Sequence, residues 1–345
     1  MRILSFETSC DETAVAVVKD GRTVESSVVR SQIETHRLYG GVVPEIASRA
    51  HIESISRLTQ EALALSECKL SELDAIAVTA WPGLIGSLVV GVNYAKSLAY
   101  AANLPLIPVH HLRGHIASVY LADASVTPPF LCLIVSGGHT GLVWVRDYTW
   151  FETLGTTRDD AAGECLDKVA RVLGLPYPGG IALDRASQTG NETAFTFPEG
   201  VVRDAPFDFS FSGVKTAASN QINMLRQKGT EPDLNDFAAS LLHSVTDTLC
   251  SRLERAAVLY KADIMAVVGG VAANSMLRAK ALSLADRMGI GLILPDPSLC
   301  GDNAAMIGAQ GYYEFLDGNT ADATLNARAS MELGDVAKGI TVSPL

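Results

Sequence analysis

No two cysteines of this 345-residue chain stand at CxxC spacing, and the six present, Cys10, Cys68, Cys132, Cys165, Cys250 and Cys300, are scattered, most of them within apolar runs. Their distribution excludes a disulfide framework and a cysteine zinc site, and suits a reducing compartment. Long hydrophobic runs are missing too. The stretch Leu88 to Ala102 is interrupted by Asn93 and Lys96 and falls short of the roughly 20 apolar residues that cross a bilayer, so no membrane segment is expected. The chain enters a strand-like run at once (Arg2, Ile3, Leu4, Ser5, Phe6), which leaves no signal or transit peptide to expect and predicts a cytoplasmic protein. Positive charge is short, with 27 Lys and Arg against 38 Asp and Glu, a net charge of −11. Acidic residues exceed basic ones in both halves. An RNA substrate would therefore call for a local basic patch or for partner proteins.

What the chain has is apolar content, 48% of its residues, and enough length to bury two cores. Two stretches share one layout of apolar strand, tight turn and second strand: Ile3 to Val18 through Glu7-Thr8-Ser9-Cys10-Asp11-Glu12-Thr13, and Leu131 to Val145 through Ser136-Gly137-Gly138-His139-Thr140. The recurrence predicts a duplicated α/β lobe with a hairpin opening each half. Between and after them the spacing predicts helices over 41–64, from Gly86 to about Asn103, from about Asp159 to Leu173, over 233–260 and from about Asp302 to Phe315, with short strands at 74–79 and 106–109. The run Ile264 to Val268 reads as a buried strand that feeds the turn Gly269-Gly270 and then a helix, a layout that offers backbone N–H groups to a nucleotide. From about Thr320 the periodicity fades, and a loose tail is expected.

Chemistry concentrates at a few places. His111 and His115 stand at i, i+4, which on a helix places both imidazoles on one face. Leu112-Arg113-Gly114 fills the gap, so the glutamate of an HExxH protease is absent. Alone, the pair could equally be surface groups. Asp302 could be a third ligand or merely the cap of the last helix. Two histidines and a carboxylate would leave open positions on an iron(II) or zinc ion. His110 and His139 read as hydrogen-bonded neighbours. The turns Ser136-Gly137-Gly138, Tyr177-Pro178-Gly179-Gly180 and Gly269-Gly270, the last followed by Asn274, suit a nucleotide cleft. Asp167 and Asp184 could accept from ribose hydroxyls or be solvated helix charges.

Taken in order, Glu7 to Thr13, Gly40-Gly41-Val42-Val43-Pro44-Glu45, His110-His111 with Gly114-His115, Val135 to Thr140, Tyr177 to Gly180, Phe209-Ser210-Phe211-Ser212-Gly213-Val214-Lys215-Thr216, Gly269 to Asn274 and Asp302-Asn303 closely resemble the motifs of the universal tRNA N6-adenosine threonylcarbamoyltransferase family, of the bacterial TsaD type. The resemblance covers about residues 1 to 318. It implies an α/β protein of the actin-like ATPase fold with two RNase-H-like lobes and a central cleft. The lobes would be 1–125, with the helix 302–318 packing back on it, and 126–301, followed by a tail over 319–345. The activity implied is transfer of a threonylcarbamoyl group from threonylcarbamoyl-AMP to N6 of the adenosine beside the anticodon of tRNA, with release of AMP.

By the same resemblance, His111, His115 and Asp302 hold one divalent metal per subunit, iron(II) ahead of zinc. Ile134, Val135, Ser136, Gly137, Gly138, Asp167, Gly180, Asp184 and Asn274 bind substrate, and Asp11 and Glu12 lie in the loop tied to catalysis. The implied partners are tRNA, a TsaB-like paralogue and a TsaE-like small ATPase, with a homodimer as a further state. Trp81, Arg113 and the lack of a basic, tryptophan-containing stretch after Asn326 depart from the family pattern. The competing readings are a carbamoyl-adenylate-dependent carbamoyltransferase or ATPase acting on a small molecule, and a non-enzymatic scaffold.

Overall fold

The structure is a computed structural model that describes residues 1–334. One sheet comprises β1 (Arg2–Glu7), β2 (Glu12–Lys19), β3 (Thr23–Ser31), β4 (Ala75–Trp81) and β5 (Leu106–His110), in the order β3-β2-β1-β4-β5. The other comprises β6 (Phe130–Val135), β7 (Thr140–Asp147), β8 (Trp150–Thr156), β9 (Ile264–Val268) and β10 (Gly291–Ile293), in the order β10-β9-β6-β7-β8. Read from the other edge, the second order repeats the first. In each sheet the first three strands pair antiparallel and the last two join in parallel. The recurring layout read in the sequence is thus a repeat of whole sheets.

The helices are α1 (Ile33–Arg37), α2 (Pro44–Leu65), α3 (Ile85–Ala102), α4 (His111–Ala122), α5 (Ala162–Val172), α6 (Gly179–Ser187), α7 (Ser212–Gln227), α8 (Leu234–Tyr260), α9 (Ser275–Met288), α10 (Pro297–Cys300) and α11 (Ala304–Leu316). Strand alternation decides where they pack, because successive side chains point to opposite faces. Leu4, Phe6, Ile76 and Val78 face one way and form a core with the α2 and α3 layer, whereas Ile3, Ala75, Ala77, Ile107 and Val109 face the other and meet Met306 and Ile307 of α11. The second sheet divides in the same manner. Leu131, Leu133 and Val135 pack under α5, α7, α8 and α9, while Cys132, Ile134, Ala266 and Val268 meet Ile116 and Tyr120 of α4 with Ala309 and Tyr313 of α11. α4 and α11 therefore form a shared middle layer between the two sheets, which explains why nearly every residue of α11, Gln310 and Glu314 included, is buried.

Three expectations change. The helix expected from Asp159 begins at Ala162, because the Asp159 carboxylate instead accepts from the backbone N–H groups of Phe211 and Ser212 at the head of α7. The last helix begins at Ala304, capped by Asn303, whose side chain accepts from Met306 N at 2.9 Å. The segment 319–334 carries no helix or long strand but is no loose tail. Ala321 bridges to Leu106, Leu325 is buried in the first core, Arg328 N donates to Ala80 O, and Gly83 N donates to Ala329 O. Residues 335–345 of the expected tail lie outside the described residues. Among the described residues all six cysteines are free, and no helix is long and apolar enough to cross a membrane.

Candidate metal centre and its surroundings

β5 ends at His110, and the chain turns directly into α4, so His111 and His115 occupy its first two turns on the buried side. Their rings stand edge to face with centroids 4.7 Å apart. Asp302 closes the group from the loop before α11: its Oδ1 lies 3.5 Å from His111 Nε2 and 3.1 Å from His115 Nε2. The N-cap alternative for Asp302 falls away because Asn303 takes that position. Gly114 is the local reason the two elements come so near. A Cβ there would stand 2.6 Å from Ile307 Cδ1, so glycine lets α4 and α11 approach at the level of the histidines.

The donor set fits a cation. His115 is fully buried, yet neither of its ring nitrogens has a hydrogen-bond partner, and its 3.1 Å approach to Asp302 lacks the alignment of a hydrogen bond. The three side chains each offer one atom within 4.8 Å of the others. Burial opposes charge on His111, but Asp302 and Glu7 outweigh it and lift its pKa to about 9. Asp302 moves the other way: burial raises its pKa, but His111 and His115 dominate and hold it below the usual carboxylate range. A buried pocket that pulls a proton onto an imidazole is one that favours positive charge.

Behind the three candidate ligands stands a residue that the sequence reading quotes within a motif but gives no role. Glu7, fully buried at the end of β1, lies 2.9 Å from His111 Nδ1 through Oε2. Thr79 donates to the same oxygen at 2.6 Å, and Ser9 Oγ also meets His111 Nδ1 at 3.1 Å. A carboxylate on the far nitrogen fixes the ring and directs Nε2 inward. The signal available in the sequence was a glutamate closing an apolar strand. His110 and His139 are neighbours, as read. His110 caps α4 and meets Met331 O at 3.2 Å, while burial lowers its pKa to about 3 and that of His139 to about 4.

Asp11 and Glu12 occupy the β1–β2 turn. Asp11 is 6% exposed, and its Oδ2 is buried without a hydrogen-bond partner. Burial, then Asp302 and Asp11, push the Glu12 pKa up to about 9. Tyr177 joins this side to the second half: burial, Asp11, Asp167 and Glu12 all raise its phenol.

Ile134 and Val135 end β6 as buried strand residues, and Ser136 turns the chain, its Oγ accepting from His139 N at 3.1 Å. A Cβ at Gly137, Gly138 or Gly180 would meet nothing within 4 Å, whereas one at Gly163 would stand 2.6 Å from Ser136 O and one at Gly179 2.4 Å from Ala170 Cβ. The first three glycines border open space; the last two are demanded by packing. Asp167 accepts from Gly180 N at 3.0 Å, and burial raises its pKa. Asp184 and Asn274 come together at 3.0 Å. Each already has local work, Asn274 capping α9 through Leu277 N and Asp184 accepting from Ser275.

Comparison with known proteins agrees on the fold. HypF from T. kodakarensis superimposes with a TM-score of 0.61 at 14% identity over 94% of this chain and 49% of that one. The component A of (R)-2-hydroxyglutaryl-CoA dehydratase from Acidaminococcus fermentans does so at 0.53 with 15% identity, over 91% and 98%. The fold is thus the actin-like ATPase fold. In sequence, the tRNA N6-adenosine threonylcarbamoyltransferase of Clostridium perfringens is 48% identical over 96% of this chain and 98% of its own length, and that of Clostridium botulinum is 49% identical over 97% and 98%. The family model described as TsaD, tRNA N6-adenosine threonylcarbamoyltransferase, matches residues 23–309. With a family match over most of its length and relatives at this identity, the chain belongs to the tRNA N6-adenosine threonylcarbamoyltransferase family.

Proposed function

We propose that this chain transfers the threonylcarbamoyl group of threonylcarbamoyl-AMP to N6 of the adenosine beside the anticodon in tRNA, releasing AMP. The observation that carries the reading is the convergence of His111, His115 and Asp302 at the junction of the two sheets, in a member of this family. The lobes are taken as 1–125 with 302–318, and 126–301. One divalent ion held by the three side chains, iron(II) ahead of zinc as the family resemblance implies, would act as a Lewis acid toward the carbamoyl or phosphate oxygens.

The chain's own residues supply the rest. An adenine amine is a poor nucleophile because its lone pair is delocalised into the ring, so position matters most. The open glycines Gly137 and Gly138, on the turn after Ile134, Val135 and Ser136, and Gly180, at the start of α6, leave room for the AMP portion beside backbone N–H groups, with Asp167 orienting the Gly180 turn. Asp184 and Asn274 hold the α6–α9 edge of that space together. Asp11, whose buried oxygen lacks a partner, would accept or orient the amine proton, with Glu12 beside it in the chain.

The acidic chain would work in the cytoplasm with a TsaB-like paralogue and a TsaE-like small ATPase, or as a homodimer. Exposed Val89 and Tyr100, about three turns apart on one side of α3, support a protein partner at that helix. The test is reconstitution of the chain and its partners with threonylcarbamoyl-AMP and unmodified tRNA, followed by nucleoside and nucleotide analysis. The modified nucleoside and AMP are expected; unmodified tRNA, together with ADP formed from added ATP by the chain alone, would favour a kinase-like ATPase. His111→Ala and His115→Ala should remain folded by circular dichroism while losing metal and transfer, and full metal occupancy in the double variant would remove the assignment.

A further inference from the structure

The segment 36–43, which leads from α1 to α2, is fastened underneath and bare on top. His36, fully buried, accepts from Val43 N on Nδ1 at 3.3 Å and meets Gln32 Oε1 through Nε2 at 3.1 Å. The N–H groups of Tyr39 and Gly41 both donate to the His36 carbonyl, and Gly40 takes a φ of 69° that favours glycine. On this closed loop Leu38 is 83% exposed and Tyr39 59% exposed. Among the described residues the Tyr39 side chain has no hydrogen bond and no ring partner. An ordered loop that presents two large apolar side chains is built for contact with something outside the chain.

Two arginines flank the tip. Arg37 donates through Nε to Tyr177 O at 3.4 Å and shares Nη1 with Glu34 in an exposed pair at 3.1 Å, a pair that contributes little in water. Arg171, exposed on α5, lies against the loop from the other half: a Cβ at Gly41 would stand 3.0 Å from its Nη2. It makes no hydrogen bond or ion pair among the described residues. The loop thus reaches the Tyr177 carbonyl, in the turn that leads to Gly179 and Gly180, so its tip borders the turn assigned to substrate.

We propose that this tip is a docking platform for single-stranded RNA, with Tyr39 stacking on an unpaired base of the anticodon loop and Arg37 and Arg171 meeting the adjacent phosphates; the proposal rests on the tRNA reading above. Unpaired bases are recognised by stacking on aromatic and guanidinium planes, and phosphates by arginine. In a chain of net charge −11, cations gathered around an exposed aromatic are the local basic patch that the composition calls for. Tyrosine and arginine serve at protein interfaces too, so an RNA occupant and a protein occupant have to be separated by experiment.

Transfer kinetics with unmodified tRNA as the varied substrate test it, in the mixture that supports wild-type activity. Tyr39→Ala should raise KM for tRNA on the order of 5- to 100-fold, far more than it lowers kcat, while Tyr39→Phe stays near wild type. Arg171→Gln should flatten the salt dependence of KM. An unchanged KM in Tyr39→Ala overturns the platform, as does a defect cured by excess partner protein, which would make the tip a protein contact. Direct binding of an unmodified anticodon stem-loop RNA separates the two readings. A wild-type chain that transfers nothing but loses this RNA on Tyr39→Ala overturns the function and keeps the platform.

Discussion

Glu7 shows how one residue away from the ligands sets what they can do. It holds His111 by Nδ1, so Nε2 faces Asp302, and Thr79 in turn fixes the Glu7 oxygen. Outer partners of this kind typically account for 10- to 100-fold in metal affinity. Glu7→Gln should therefore weaken the ion by about that range while the fold stays intact, read by competition with a chelator alongside circular dichroism. An affinity equal to wild type would reduce Glu7 to a buried strand residue. Arg113, between the two histidines, plays a different part from its neighbours. It bonds Glu314 at 2.9 Å and the Leu333 carbonyl at 3.0 Å, and its guanidinium lies over the Phe151 ring, so this departure from the family pattern anchors α4 away from the chemistry.

At the level of elements, the glycine turns divide into two kinds that look alike in sequence. Gly179 and Gly180 are adjacent, yet a Cβ at the first collides with Ala170 and a Cβ at the second enters open space. Gly179→Val should lower the melting temperature through overpacking, about 1–3 kcal/mol of destabilisation. Gly180→Val should keep the melting temperature and the metal but lose a non-hydrolysable threonylcarbamoyl-adenylate analogue in calorimetry. If Gly180→Val binds the analogue as wild type does, the nucleotide space lies elsewhere. The sequence marks the turns but not this division, because the collision depends on how α6 packs back against Ala170 of the preceding helix α5. The same limit explains other misses. β3 has a single buried side chain, Ser26, and so no alternating apolar signal, and Asp159 was drawn off its own helix to serve α7. Where a signal was local it held: Pro44 opens α2, Asp233 caps α8, and the i, i+4 histidines share a helix.

Over the whole molecule, the first sheet is finished by residues from the other end of the chain. α11 packs on it, and 319–334 run across its edge, a stretch whose weak periodicity in sequence reflects attachment through backbone hydrogen bonds, which leave no pattern of side chains. Leu325→Ala tests that attachment. A buried leucine in the first core should cost about 2 kcal/mol or more on truncation, seen as a lower denaturant midpoint, whereas a loose tail would show no change. The interleaving has a consequence in time. His111 and His115 emerge early in synthesis and Asp302 only after nearly nine-tenths of the chain has been made. A nascent chain that stops short of Asp302 cannot close the three-ligand site, so the full ligand set exists only in a polypeptide that has returned to its starting half.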